Sequence, residues 1–335
     1  MTINETLLFY KYKSSFSAGL SDLFVHVILF ATTVYSVWHF RNTWLTLATI
    51  PLLSLMNVRT FIVMHECGHN VYTPSKTLNY LIGNLLGVLL FTPVCWCWHH
   101  TNHHLTSGNM ENKLRHNYNE LTYHTLRQYK QSPNYKQLIF RFFRHPCILF
   151  TIIPIIYFVM KQRFDLLVYK IRYKHVYPQS AVQILSESIF TTIGMCIYIH
   201  FARKYEIFAH LSLAMGISFS LGFMLFHNQH TFNPSYVTGN DEWTQRDSGI
   251  LGSSFIQFPY FLKYFTVGIE YHHVHHMNAK IPGYNLQAYH EEVVSKSDLF
   301  DNVVKLSMRD CYNNLWLALY DEDNKKYITM EEADN

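Results

Sequence analysis

Apolar residues along this chain gather into four long blocks rather than the short alternations of a water-soluble core. The blocks run from about Asp22 to Phe40, Trp44 to Met64, Val182 to Phe201 and Glu206 to Phe226, each close to the ~20 residues a helix needs to cross the hydrocarbon layer. The breaks within each pair are short, at Arg41 to Thr43 and Ala202 to Tyr205, which predicts two tight helical hairpins. Two further apolar stretches, Leu81 to Trp96 and Cys147 to Met160, are shorter, and the second contains Pro154. Stretches of that length are expected to be interfacial, re-entrant or buried. The predicted fold is all-α: a multi-pass membrane protein with four transmembrane helices in two hairpins and a cytosolic helical cap. No repeat or linker divides the chain, so residues 1–335 read as one domain, with a core of about 22–290 and polar tails at 1–21 and 291–335.

The polar positions that punctuate this pattern are rich in histidine, 21 in all. HECGH (65–69) ends the second block, HHTNHH (99–104) follows the first short stretch, HNQH (227–230) ends the fourth block, and HHVHH (272–276) precedes the turn at Pro282 and Gly283. If only the four long blocks cross, all four clusters share one side of the membrane. The hairpin turns carry Arg41, Arg203 and Lys204, whereas the histidine side carries Arg141, Arg144, Lys161, Arg163, Lys170, Arg172 and Lys174. The excess of positive charge predicts that the histidines face the cytoplasm.

Composition supports the membrane reading: 49% of residues are hydrophobic and 15% charged. A net charge of +4 without a Lys/Arg-rich run argues against a nucleic-acid partner. The cysteines, Cys67, Cys95, Cys97, Cys147, Cys196 and Cys311, form no CxxC pair or dense disulfide spacing, which fits a reduced setting. The opening MTINETLLFYKYKSSF has its lysines after its first apolar residues and lacks a small-residue cleavage site, so it is not expected to be a removable signal peptide.

The histidine spacing carries the chemistry. His65 and His69 are four residues apart, on one face of a helix. His100, His103 and His104 form HxxHH, as do His272, His275 and His276, and the i, i+3, i+4 spacing gathers each set on one face. Neutral imidazole ligates Fe, Zn, Cu and Ni, so the pattern predicts a metal site without naming the metal. Eight or nine nitrogens exceed one ion's needs and suit two. A histidine-rich metal transporter is the competing class, but it would line a mid-span pathway, and these residues lie at span ends and beyond. His99 and His273 point about 100° from the ligand faces and are expected beside the site. His116, His124, His145, His175 and His290 read as ordinary loop or interfacial residues. Arg59 is expected to pair with a carboxylate or reach the head groups, and Glu187 to sit near the interface. Trp38, Trp44, Trp96 and Trp98 read as interface anchors.

The set HECGH, HxxHH, HxxHH around two membrane hairpins resembles the membrane-bound fatty acyl desaturase family. Longer strings are similar to its bacterial acyl-lipid branch: HHLTSGN (103–109), FHNQHTF (226–232) and GSSFIQFPYFLKYFTVGIEYHHVHHMNAKIPGYNL (252–286). The resemblance runs from about Arg59 to Tyr289, with the first hairpin matching mainly by hydropathy. It implies that His65, His69, His100, His103, His104, His272, His275 and His276, with His230 from the Gln-His element, hold two irons. It also implies O₂ as co-substrate and a membrane-lipid acyl chain as the substrate to be desaturated. Glu66 stands where Asp is common and Asn70 where Gly often follows; neither change removes a ligand, although hydrogen bonding behind the ligands differs. In the acyl-CoA branch an Asn reaches one metal through water at the position that is Phe226 here, which leaves His227 and Asn228 as neighbouring substitutes. Asn102, His273 and Arg59 complete the residues placed to steady the ligands. The chain carries no His-Pro-Gly-Gly element, cysteine cluster or Gly-rich nucleotide loop, so a separate ferredoxin, flavodoxin or cytochrome b5-type electron donor is implied. Lipid hydroxylation or ketolation on the same scaffold is the alternative activity.

Overall fold

The computed structural model describes residues 5–112, 124–161 and 180–335. His116, His175, Arg163, Lys170, Arg172 and Lys174 therefore lie outside the described residues. Among the described residues, four helices are long and apolar enough to cross a membrane: Phe16–Phe40, Thr46–Gly68, Ala181–Lys204 and Phe208–His230. The first begins at Phe16 rather than Asp22 because Ser15 caps it, accepting the Ala18 N–H at 3.1 Å. A short helix, Glu5–Lys11, precedes it, so part of the expected N-terminal tail is structured.

Span ends decide where the histidines sit. After His69 the chain turns through Asn70 at φ 61. The Asn70 N–H donates to the Cys67 carbonyl at 3.0 Å and the Val71 N–H to the Glu66 carbonyl at 3.1 Å, the paired closure that terminates many helices. Asparagine tolerates this left-handed conformation better than most residues, which explains how it serves where glycine would be usual. Glu206 (φ 60) closes the third span in the same way, with Ile207 N–H on the Ala202 carbonyl at 2.9 Å.

The second span is the hub. It is buried along most of its length and packs against the first span, the fourth span and the helix Lys76–Leu89. The inter-span turns meet a helix length away from His65, where Arg41 pairs with Glu206 at 3.6 Å and His210 Nε2 lies 3.1 Å from the Arg41 carbonyl. Arg59 pairs with Asp22, donates to the Tyr264 carbonyl and stacks 4.0 Å from the Tyr264 ring centroid. Asp22 also accepts from Tyr72 Oη at 2.7 Å. Arg59 thus joins the first two spans to the segment before the third box.

The first shorter apolar stretch is bent by 105° between Lys76–Leu89 and Val94–Thr106, and the second starts at a 62° bend between Asn134–Arg144 and Pro146–Met160. The first bend turns HHTNHH back against the end of the second span. Residues 291–335, expected as a polar tail, are folded instead. Strand β1 (Phe255–Ile256) pairs in parallel with β2 (Lys305–Leu306), and β3 (Leu317–Asp321) pairs antiparallel with β4 (Lys326–Thr329). Leu319, Ile328 and Ala333 share a small core with Tyr129. These strands are too short for a hydropathy window to register, and their apolar partners lie far away in sequence. Among the described residues the two small sheets are the departures from an otherwise helical fold.

Candidate metal centre

Nine histidines converge in two groups: His65, His69, His100, His104 and His275 in one, His103, His230, His272 and His276 in the other. Within each group the ligating nitrogens lie within 4.8 Å of one another. The way the helices cross divides each HxxHH set between the groups. In the helix Cys97–Thr106 the i, i+4 pair His100 and His104 serves the first group and His103 the second. In the helix His272–Met277 the pair His272 and His276 serves the second group and His275 the first. Each HxxHH box therefore bridges the two groups, while HECGH serves the first alone.

Backbone approach sets the distances. A Cβ on Gly68 would lie 1.7 Å from Cys97 Sγ, so glycine is needed where the second span meets the Cys97–Thr106 helix. The result is a row of close nitrogens: His69 Nε2 to His65 Nε2 at 3.1 Å, His65 to His100 at 2.8 Å, and His100 to His104 at 2.9 Å. In the second group His230, the last residue of the fourth span, brings its Nε2 to 2.9 Å from both His103 Nε2 and His272 Nε2.

Hydrogen bonding alone does not account for this packing. Each Nε2 offers one proton or one lone pair, so a nitrogen shared by two neighbours cannot satisfy both, whereas a cation at the common centre can. His275 Nδ1 and Nε2 and His276 Nε2 are buried with no hydrogen-bond partner among the described residues, a cost of about 1–3 kcal/mol for each such group. Burial holds His272, His275 and His276 well below the usual imidazole range and His69 down at about 3. These rings are therefore neutral, the form that ligates metals. The donor set fits two borderline transition-metal ions.

Two groups stand directly behind the ligands. Glu66, fully buried, has Oε1 3.1 Å from His65 Nδ1, while its Oε2 accepts the Gly283 N–H at 2.6 Å. It ties the first box to the turn after the third. The Gly252 carbonyl lies 3.2 Å from His230 Nδ1; donation from that nitrogen leaves the Nε2 lone pair facing the group.

The other residues expected to steady the ligands are engaged elsewhere. Asn102 donates to the Trp98 carbonyl at 3.2 Å, and Asn228 to the Met224 carbonyl at 2.9 Å. His227 Nε2 bonds the Asn314 carbonyl at 2.8 Å. Arg59 forms the inter-span pair described above. His273 belongs to neither group; its Nε2 lies 2.9 Å from His290 Nδ1, against the Phe300 ring. Phe226 packs on His103 and His230 with centroids 5.2 and 5.4 Å away. Trp96, expected as an interface anchor, is buried and stacks on His100 at 5.2 Å, whereas Trp44 is 77% exposed. Glu187 is buried, accepting the Cys95 N–H at 2.8 Å.

Beside the histidines lies an apolar cavity of about 470 Å³. Its wall includes His65 and His100 from the first group, His272 from the second, and Phe61, Phe158 and Phe219. The nine histidines expected from the sequence are the ones brought together here; the cavity and the two backbone contributors, the Gly252 carbonyl and the Gly283 amide, were not among the expectations. A carbonyl or amide donor leaves no residue-type signature, although the Pro282-Gly283 turn marked the place of one.

Four apolar spans and two groups of converging histidines define a membrane protein with a candidate paired-metal centre. The family profile described as fatty acid desaturase matches residues 42–302, and the chain belongs to that family. It is 31% identical over 293 residues to a fatty acid desaturase of Bacillus subtilis (strain 168), covering 85% of this chain and 78% of the relative. It is 24% identical over 235 residues to the sn-1 oleoyl-lipid 12-desaturase of Picosynechococcus sp., covering 68% of this chain and 62% of the relative. A shorter match, 33% identical over 91 residues, is to the sn-1 acyl-lipid omega-3 desaturase (ferredoxin) of Nostoc sp., covering 27% and 25% of the two chains.

Proposed function

We propose that this chain is an O₂-dependent acyl-lipid desaturase whose nine histidines hold two irons, and that it introduces a double bond into the acyl chain of a membrane lipid. The observation that carries this reading is the shared wall: one apolar cavity is lined by histidines of both groups. Its volume falls within the ordinary range of ligand pockets. When bound, iron supplies with O₂ and two electrons the oxidising power to remove two hydrogens from adjacent methylenes.

The protein's own residues supply position and dryness. Phe61, Phe158, Phe219 and Phe226 give the chain an apolar bed and exclude water from the reacting carbons. Glu66 and the Gly252 carbonyl hold His65 and His230 in orientation. The electrons come from a separate ferredoxin, flavodoxin or cytochrome b5-type donor; a relative carries ferredoxin in its name. The helices bearing the boxes form a cytosolic cap in this reading, with the turns at Arg41 and Glu206 on the far side. Labelling Lys280→Cys from the cytoplasmic face, and Trp44→Cys from the opposite face, tests that orientation.

The decisive experiment is expression in a bacterial host followed by mass spectrometry of its lipids. Acyl chains lighter by two hydrogens are expected. Chains heavier by one oxygen would replace desaturation with hydroxylation. Purified active protein should contain about two irons, and full activity with one metal or with zinc alone would overturn the centre.

A further inference from the structure

The third span, Ala181–Lys204, supplies no histidine to either group and no residue to the cavity wall among the described residues. It packs against the helix Lys76–Leu89 and the single turn Val94–Trp96. The residues it buries along that stretch, Ile184, Glu187 and Thr191, fall at i, i+3 and i+7, one stripe of a helix. The middle of the stripe is a carboxylate, 2% exposed. A carboxylate there is costly unless its oxygens are bonded. Glu187 Oε2 accepts the Cys95 N–H at 2.8 Å, Oε1 accepts from Gln183 Nε2 at 3.0 Å, and the Tyr80 hydroxyl bonds the same group.

The Cys95 amide lies at the start of the helical run that continues into the second histidine box, where amides have no partner within the run and negative charge is favoured. The next residue is Trp96. Its ring stacks on His100 at 5.2 Å, with 21° between the planes, and lies 5.0 Å from the Phe61 ring. It forms part of the cavity wall beside His65 and His100. Buried indoles usually donate to an acceptor, yet Trp96 Nε1 has no hydrogen-bond partner among the described residues. Packing and backbone alone therefore orient the ring, and Glu187 holds the amide that precedes it.

We propose that Glu187 is a positioning residue: through the Cys95 amide it fixes the Trp96 ring against His100 and Phe61, and that ring sets which carbons of the acyl chain lie opposite the metal centre. The proposal rests on the acyl-lipid reading above. A misplacement of about 1 Å is enough to change a reaction rate about 100-fold, so a loosened ring should blur the choice of carbon before it unfolds the protein.

The test compares wild type, Glu187→Ala, Glu187→Gln, Trp96→Leu and the double variant Glu187→Ala with Trp96→Leu, all as full chains. The first readout is the position of oxidation along the product chain, by mass spectrometry. In Glu187→Ala the ratio of the main positional isomer to its neighbours should fall about 10-fold, the loss expected for one hydrogen bond to a charged group. Glu187→Gln keeps an acceptor for the Cys95 amide and should restore most of the ratio. In the Trp96→Leu background, Glu187→Ala should change the ratio by less than about 2-fold further. An unchanged ratio in Glu187→Ala, or an equal fall with and without Trp96, overturns the proposal. Should Glu187→Ala fail to accumulate, Glu187→Asp, whose carboxylate is retracted by one methylene, is read in its place with the same outcomes.

The second readout needs no chemistry. Metal-free protein in detergent is given phosphatidylcholines brominated at successive positions along one chain, and the fluorescence quenching of Trp96 is taken as wild type minus Trp96→Leu. Quenching should peak at one bromine position and flatten in Glu187→Ala. A sharp, Glu187-dependent peak without any oxidised product supports the positioning role and counts against the desaturase reading alone. Unsaturated product with a flat profile in wild type overturns the positioning role and leaves that reading standing.

Discussion

The two histidine groups draw on the same pair of HxxHH boxes, yet they differ in number and surroundings. The first has five nitrogens, with His65 braced by Glu66, and it presents His65 and His100 to the cavity. The second has four, with His230 facing the Gly252 carbonyl and Phe226 packed against two of its rings. A five-donor group that loses one imidazole still offers four protein ligands; a four-donor group is left with three and must complete its shell with water, which weakens its hold on the ion. Symmetry in sequence thus hides an asymmetry in redundancy, created because the HxxHH pairs are dealt to opposite groups.

The largest effect should break this comparison open. His276→Ala and His103→Ala are each expected to lower desaturation more than about 100-fold, beyond what losses behind a ligand cause, and to leave about one iron per chain. His69→Ala should also be inactive or nearly so but retain close to two irons. Metal analysis of purified variants, alongside unsaturated product at matched protein levels, reads both quantities. Equal iron loss in all three variants would show that the fifth nitrogen confers no redundancy.

Next in size is the contact that holds the groups together. A methyl on Gly68 meets Cys97 Sγ at 1.7 Å and Cys97 Cβ at 2.6 Å, so Gly68→Ala must push the Cys97–Thr106 helix off the second span. Because that helix feeds both groups, iron content should fall at both, with a lower unfolding temperature in the metal-free protein. Overpacking of this kind typically costs about 1–3 kcal/mol. A variant that keeps its iron and thermal midpoint would mean the two helices can part without moving His100 or His103.

Glu66 sharpens the comparison because it serves only the first group. Glu66→Gln keeps the length needed to reach Gly283 but turns one of the two acceptor oxygens into an N–H donor, and should weaken metal retention about 10- to 100-fold. Glu66→Asp keeps both oxygens but is one methylene shorter, and is expected to give up one of the two contacts. Chelator competition followed by metal analysis should show the weakened ion to be one of two. Loss of both ions at equal rates would make Glu66 a support of the whole centre.

Much of this centre was legible in sequence because ligation demands particular residue types at helical spacing. His65 with His69 and the two HxxHH boxes could be read as faces before any fold was known. The four spans were legible for a similar reason, since bilayer thickness imposes a length. What could not be read depends on partners distant in sequence or on backbone atoms: Gly283 reaching Glu66, Gly252 reaching His230, Trp96 stacking on His100, and Leu319 meeting Tyr129. The split of each HxxHH box between two groups was equally hidden. Spacing shows that His100, His103 and His104 share a face, but their division depends on how the helices cross at Gly68.

The smallest expected effect concerns His273, which adjoins a ligand in sequence but lies outside both groups. His273 bonds His290 within a buried aromatic cluster that includes Phe255 and Phe300, so His273→Ala should reduce desaturation by less than about 10-fold while the iron count stays near two. The His273–His290 pair should instead be visible in stability against pH. Burial pushes His290 down to about 4, below the ~6.5 of an exposed imidazole, so between these values the unfolded chain binds the extra proton. The stabilisation is therefore complete above about pH 6.5 and is lost as pH falls toward 4. The thermal midpoint of metal-free protein should fall with acid across that window, and fall less steeply in His290→Gln, the other buried histidines supplying the remaining slope. If His273→Ala instead empties a metal site as His276→Ala does, the boundary between ligand and neighbour runs through the wrong residue, and the second group's fourth donor must be reassigned.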